Sequence, residues 1–179
     1  MSNYIRAKIA GGYYFFTVVT YRRRPILCDE PIRTALKNAI KQTQSQYPFE
    51  MIAIVLLPDH LHCIWKMPDD DYNYGKRWGI IKSLVSKQCR EYHAPQQEMS
   101  YDRYSKNHSG IWQNRFYEHF IRNEWDFNNH LNYIHYNPVK HGLVARPKDW
   151  QFSTFYKYVK LGFYDENWGD DVDIVGDFE

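Results

Sequence analysis

Two histidines separated by a single leucine, His60-Leu61-His62, lie in an otherwise apolar run from Met51 to Trp65. Successive side chains of an extended segment point to opposite faces, so His60 and His62 share one face and Leu61 takes the other. Paired imidazoles of this kind make half of a divalent-cation site, although two solvated histidines near a strand start would look the same in sequence. Farther along, Tyr133 and Asn137 are four residues apart in a segment of helical pattern and project from one helix face. His130, three residues before Tyr133, is on that face too, whereas His135 points elsewhere. A phenol and an amide oxygen next to two imidazoles would supply a nucleophile and a third ligand. Spacing alone leaves open whether helix and strand meet, and a helical tyrosine is usually a packing residue. Tyr117 is the rival nucleophile.

Composition limits the classes to which this chemistry could belong. The chain has 179 residues, 44% hydrophobic and 25% charged, the size of one domain with a substantial core. No run approaches the roughly 18 apolar residues of a membrane span, and Met1 to Lys8 shows no signal-type apolar segment, so a cytoplasmic location is expected. Cys28, Cys63 and Cys89 form no CxxC pair and read as packing residues rather than a disulfide framework or zinc ribbon. Gly11-Gly12 is not a phosphate-binding Walker loop. The net charge of +2 hides a segregation: all 23 Lys and Arg precede Tyr164, while residues 164–179 carry seven acids and no base. A basic body (1–163) with an acidic tail (164–179) suggests a polyanion-binding surface over which the tail could fold back. Aromatic content of 18%, with 16 Tyr and 6 Trp, is compatible with base stacking, though most of these rings belong in a core.

The elements that must position these residues follow from periodicity. Tyr13 to Tyr21 reads as a buried strand leaving into the basic loop Arg22-Arg23-Arg24. Residues from about Asp29 to Gln46 have helical spacing, with Pro31 in the first turn. Phe49 to Leu57 and His60 to Met67 read as a hairpin joined by Pro58-Asp59. Tyr74 to Tyr92 is an amphipathic helix whose polar face shows Lys76, Arg77, Lys82, Lys87 and Arg90, suited to lie along phosphates. His93 to Gly110 reads as a mobile loop and Ile111 to Ile121 as an extended strand. Asn123 with Asp126 caps a helix from about Glu124 to Tyr136, ended by Pro138, and Phe152 to Tyr158 is a short aromatic segment. The order predicts an α+β domain: an antiparallel sheet with helices packed on one face.

Three blocks in order carry a resemblance that covers about Tyr13 to Tyr158. They are Leu57-Pro58-Asp59-His60-Leu61-His62, Trp112-Gln113-Asn114-Arg115-Phe116-Tyr117-Glu118-His119, and Tyr133-Ile134-His135-Tyr136-Asn137-Pro138-Val139-Lys140-His141-Gly142. Together the blocks resemble the REP-associated tyrosine transposases, relatives of the single-strand transposases in the HUH endonuclease superfamily. The resemblance implies a ferredoxin-like, RRM-like HUH core. It implies His60 and His62 as ligands to Mg2+ or Mn2+, Tyr133 as the nucleophile, and Asn137 where related transposases have a third, amide ligand. That ligand is usually glutamine, so Asn137 is a departure, and its position before a proline biases its backbone away from helix. The implied reaction is cleavage and rejoining of DNA through a 5′-phosphotyrosine, with Lys140 and His130 as candidates to assist the phenol.

The implied partner is single-stranded DNA beside repetitive extragenic palindromic (REP) hairpins, with the protein acting as a monomer. Candidate phosphate contacts are Arg22, Arg23, Arg24, Lys82, Lys87, Arg115 and Lys140, and candidate stackers are Trp112, Phe116 and Tyr117. Arg122 is expected to pair with Glu118. Two other functions remain open on sequence alone: a metal nuclease that activates water without a tyrosine, and a silent single-strand-binding module.

Overall fold

The computed structural model describes residues 8–106 and 109–169, together with 172, 176 and 178. Strand β1 (Tyr13–Val19) sends Tyr14, Phe16 and Val18 to one face and Phe15 and Thr17 to the other, and all five are buried. Both faces of this strand must therefore be covered. It pairs antiparallel with β3 (His60–Lys66) on one side and β4 (Tyr117–Ile121) on the other, and β3 pairs antiparallel with β2 (Glu50–Leu56). The sheet order is β2-β3-β1-β4. With α1 (Glu30–Gln46) between β1 and β2, and α2 (Tyr74–Gln88) and the short α3 (Tyr101–Ser105) between β3 and β4, the frame is the expected ferredoxin-like antiparallel sheet.

Helices α1 and α2 pack on the face of Tyr14, Phe16, Leu61, Cys63 and Trp65. In α1 the buried stripe is Ile32, Ala35, Leu36, Ala39 and Thr43, after Pro31 in the first turn. The side chain of Asn73 caps α2 by accepting from the Lys76 backbone N–H at 3.1 Å. Arg77 departs from its expected place on the polar face. It is buried with Tyr74, Trp78 and Ile81, donates to the carbonyls of Tyr47, Pro48 and Asn73, and pairs with Asp71. A guanidinium so engaged is a structural clamp.

The other face carries Phe15, Val55 and Ile64 and is crossed by α4 (Glu124–Lys140), with α5 (Phe155–Lys160), Tyr164 and Trp168 packed beside it. Asn123 caps α4, its side chain accepting from the Asp126 backbone N–H at 2.9 Å, as expected. The helix does not end at Pro138 but runs on to Lys140. Pro138 lacks only one N–H, and the end is set beyond it: Gly142, at φ 66°, donates to Val139, and Leu143 donates to Pro138. This is a Schellman closure, which a glycine adopts without steric cost. Tyr133, Asn137 and Lys140 thereby share one rigid rod.

Two further expectations shift. Only Tyr117–Ile121 of the segment from Ile111 is strand; Trp112 makes a single bridge to Thr20, and Gln113 N–H donates to Val19. The segment from His93 to Gly110 contains α3 and two-sided hydrogen bonds rather than an unstructured loop alone, Ala94 N–H donating to Ser109. The hairpin turn is Pro58-Asp59, closed by Leu57 N–H donating to His60 at 2.8 Å. The three cysteines are free thiols, with Cys63 and Cys89 buried. Among the described residues no helix is long and apolar enough to cross a membrane.

Candidate active site

The register sets His60 opposite Val19 and His62 opposite Thr17, and Thr17 opposite Tyr117 on β4. His60 and His62 both lie under α4, 1% and 0% exposed, with ring centroids 4.8 Å apart. Each ring is oriented through Nδ1. That of His60 meets Asp59 Oδ1 at 2.7 Å and that of His62 meets Thr17 Oγ1 at 2.9 Å. The Thr17 hydroxyl donates to the Phe178 carbonyl at 2.6 Å, so it accepts from the His62 ring N–H, leaving the Nε2 lone pair of His62 to serve as a ligand. Burial, reinforced by His60, His141, Lys140 and Arg23, holds His62 well below the usual imidazole range, in its neutral form. Burial alone would raise Asp59, but the hydrogen bond from His60 and the charge of Arg23 outweigh it and keep the carboxylate ionised.

Two residues, one in α4 and one at its cap, meet the pair. The Tyr133 ring packs edge-on against His62 at 5.1 Å, and the His141 ring against His60 at 5.2 Å. Asn137, one helical step from each, shares their side of α4. It is fully buried, and neither its amide oxygen nor its nitrogen has a hydrogen-bond partner; the same is true of His62 Nε2. Buried polar atoms left unsatisfied cost about 1–3 kcal/mol each, which coordination of a cation would offset. Two imidazoles and an amide oxygen fit a borderline-to-hard divalent ion such as Mn2+ or Mg2+.

The phenol oxygen of Tyr133, itself buried, accepts from Lys140 Nζ at 3.3 Å and from the Phe178 backbone N–H at 3.4 Å. The Phe178 ring stands against Tyr133 at 4.9 Å and against His130 at 4.3 Å. A residue of the acidic tail therefore occupies the space beside the candidate nucleophile Tyr133. Its acids Asp170, Asp171, Asp173, Asp177 and Glu179 lie outside the described residues.

His130 is 1% exposed, its Nδ1 bonded to the Asp126 carbonyl at 2.8 Å and near the Asp126 carboxylate at 3.2 Å. Asp126 also receives His119 at 2.9 Å and Arg122 at 3.2 Å, so Arg122 pairs there rather than with Glu118. The ligand-type atoms of His119, Asp126 and His130 fall within 4.8 Å of one another. Asp126 is spent on these bonds and on the Arg122 backbone N–H, the pattern of a hub that ties α4 to β4.

The candidate DNA contacts divide. Arg22, Arg23, Lys87, Arg115, Tyr117 and Lys140 are exposed. Arg22 and Arg23 sit at positive φ (55° and 51°) in the turn after β1, where Arg23 also pairs with Asp59. Arg24 donates to the Tyr92 carbonyl, and Lys82 to that of Gln113. Trp112 is buried in the core, and Phe116 is half-buried against it with Lys82 Nζ 5.5 Å from its ring centroid. Sequence reasoning did not find Asp59, Thr17, His141 or Phe178. Asp59 and His141 had a local signal, adjacency to His60 and the helical step from Asn137. Thr17 and Phe178 had none, since register and tail placement are tertiary.

A ferredoxin-like sheet presenting paired histidines beneath a helix that holds a tyrosine and an amide defines the frame of an HUH-type tyrosine transposase. Comparison with known proteins agrees. The family described as Transposase IS200 like matches residues 8–137. The chain is 41% identical over 172 residues to the REP-associated tyrosine transposase of Escherichia coli K12, spanning 96% of this chain and 93% of that one. It is 43% identical over 178 residues to a Haemophilus influenzae protein provisionally given the same name, with 97% of each chain covered. A solved structure of a REP-associated tyrosine transposase bound to a REP hairpin superposes with a TM-score of 0.78 at 39% identity, covering 97% of this chain and 94% of that one. The chain belongs to the IS200-like transposases, and within them to the REP-associated tyrosine transposases.

Proposed function

We propose that the chain through Gly169, whose core takes in Tyr164 and Trp168, forms a catalytic domain that cleaves and rejoins single-stranded DNA next to REP hairpins, through Tyr133 and a 5′-phosphotyrosine intermediate. The observation that carries this is the meeting of Tyr133 with His62 at 5.1 Å while Lys140 holds the phenol oxygen. His60, His62 and Asn137 would hold a divalent cation, Mg2+ or Mn2+, which when bound would supply Lewis-acid polarisation of the scissile phosphate. Tyr133 then attacks in line: a Tyr–O–P bond forms, the P–O3′ bond breaks, and the freed 3′-hydroxyl is later the nucleophile for rejoining. A free phenol ionises near pH 10, so its proton must be drawn off as the bond forms. Lys140 stabilises the phenolate as a hydrogen-bond donor. His130 is the candidate proton acceptor, since burial holds it below the usual imidazole range and therefore neutral, with Nδ1 spent on Asp126 and Nε2 without a hydrogen bond.

Arg22, Arg23, Lys87 and Arg115, exposed around this end of the sheet, carry phosphates, and Tyr117 is the ring available to a base. The protein works as a monomer in the cytoplasm, where its DNA lies. The end of the tail regulates it, with Phe178 in the position the scissile strand must take. The test is a labelled hairpin oligonucleotide incubated with Mn2+ and run on a denaturing gel. A covalent adduct lost in Tyr133→Phe is the expected result. Cleavage without adduct would make the protein a water-activating nuclease, chelator-insensitive binding without cleavage would make it a binding module, and an adduct lost in Tyr117→Phe instead would move the nucleophile.

A further inference from the structure

On the face of the sheet away from Tyr133, α1 lies beside the edge strand β2, and the two leave an open groove of about 370 Å3 between them. Its floor is aliphatic: Leu36 and Ile40 from α1, and Met51, Ile54 and Leu56 from β2, all but Leu36 partly exposed. The helical wall carries Arg33, Lys37, Lys41 and Gln44, which with Leu36 and Ile40 follow steps of three and four and so keep to one side of α1. No acid lines the groove among the described residues. Its uncharged polar groups are mostly spent within the fold: Gln44 donates to the Phe49 carbonyl at 3.0 Å, the Thr154 hydroxyl to the Ile54 carbonyl at 3.2 Å, and the Ser153 hydroxyl accepts from the Phe155 N–H at 3.0 Å, which leaves Gln151 exposed at the rim. The Arg33 guanidinium is fixed, donating to the Cys28 carbonyl at 2.8 Å and lying 4.5 Å from the centroid of the Phe152 ring on the opposite wall. Lys37 and Lys41 are exposed and form no ion pair among the described residues.

The surroundings decide what fits. An added strand needs free backbone groups on the sheet edge, but those of β2 are taken at Ile54 and Leu56. Leu56 N–H donates to the Phe152 carbonyl and Ile54 N–H to the Thr154 hydroxyl, while the Ile54 and Leu56 carbonyls accept from Thr154 N–H and Trp150 Nε1. A nucleic acid answers cations with phosphate and has nothing to set on an aliphatic floor. A second copy docked groove to groove would bring the cations of one rim against those of the other. The acidic tail of the same chain is engaged elsewhere, with Tyr164, Trp168 and Phe178 packed on the opposite face of the sheet. What remains is a helix with an apolar stripe flanked by carboxylates. From Arg33 to Gln44 α1 rises about 16 Å, three turns, over which acids spaced four residues apart would meet Arg33, Lys37 and Lys41 in succession.

We infer that this groove docks an acidic amphipathic helix of a partner protein, on the face of the sheet opposite the one that carries Tyr133. The test uses a fluorescein-labelled helical peptide of about three turns, with a stripe of leucines flanked by a glutamate at every fourth position, and reads its affinity by anisotropy. The proteins are the unaltered chain and the double variant Lys37→Glu, Lys41→Glu, both positions being exposed so that packing is undisturbed. The double variant is expected to bind the peptide about tenfold more weakly or worse, and to regain affinity when every glutamate of the peptide is replaced by lysine. Replacing the leucines with serine should abolish binding to the unaltered chain. Affinity for a hairpin oligonucleotide should change far less than affinity for the peptide. An equal loss for the hairpin would make the groove a DNA surface and overturn the assignment. So would peptide binding that survives the double variant or the loss of the leucines, or a failure of the unaltered chain to bind the acidic peptide at all.

Discussion

Lys140 and Tyr133 lie on the same face of α4, seven residues and two turns apart, with the ammonium 3.3 Å from the phenol oxygen and 5.0 Å from the ring centroid. A cation so placed favours the phenolate over the phenol and steadies charge on the attacking oxygen. Lys140→Met is expected to slow adduct formation at pH 7.5 by about ten- to a hundredfold, the range of one charge-assisted contact. Single-turnover adduct formation at saturating DNA checks this, and an unchanged rate there with only DNA binding weakened would reduce Lys140 to a DNA contact.

Asp59 and Thr17 orient the two histidines through their Nδ1 atoms. Partners of this kind typically affect metal affinity by about ten- to a hundredfold. Asp59→Ala and Thr17→Val are each expected to weaken Mn2+ binding by that factor, read as free Mn2+ by electron paramagnetic resonance. His119→Ala should leave it unchanged, because His119 belongs to the hub around Asp126. The reverse pattern would move the cation to that hub.

What could be read ahead of the structure was what short-range periodicity encodes. The alternation around Leu61 put both histidines on one face, and the four-residue step put Tyr133 and Asn137 on another, since strand and helix geometry fix those relations within a few residues. Arg77 was misread although its signal was present: it sits at helical spacing from Tyr74, Trp78 and Ile81, on the buried stripe. The burial of Trp112 was hidden because an aromatic ring has the same sequence signature whether it stacks on a base or fills a core. The helix passing through Pro138 was hidden because a proline in the last turn costs one hydrogen bond, and Gly142 decided the end. The contact of Thr17 with Phe178 spans 161 residues, beyond any local pattern.

His135, which the helical step turned away from the site, lies in the second core between Thr154 Oγ1 at 2.9 Å and Tyr164 Oη at 3.2 Å. Burial lowers its pKa to about 3 from 6.5. Between those values the unfolded chain binds a proton that the folded protein excludes, so its contribution is full above pH 6.5 and lost as pH falls toward 3. The loss from pH 6.5 to 5 is about 2 kcal/mol. Urea unfolding at pH 7.5 and 5 checks this: His135→Gln should lower stability at pH 7.5 yet lose about 2 kcal/mol less between the two. Equal losses in both proteins would show that His135 titrates normally in the fold.

Phe178 is bonded to both Thr17 and Tyr133, but the beginning of the same tail is not a regulatory element. Tyr164 is 8% exposed and stacks on Phe155 at 5.4 Å, and Trp168 lies 4.4 Å from Tyr164, so both complete the core under α4 and α5. A cut after Phe163, the boundary suggested by charge, should therefore destabilise the protein by about 3–5 kcal/mol, as loss of a buried large aromatic does. A chain ending at Gly169 keeps Tyr164 and Trp168 and removes Phe178. Displacing two hydrogen bonds and a half-buried ring costs an incoming strand about 1–2 kcal/mol, so this shorter chain should form adduct about five- to thirtyfold faster at subsaturating DNA. Phe178→Ala, which keeps both backbone hydrogen bonds, should give only the ring's share of that gain. Equal rates for full-length and Gly169-ended proteins, with matching melting temperatures, would mean that the tail leaves the site without measurable cost.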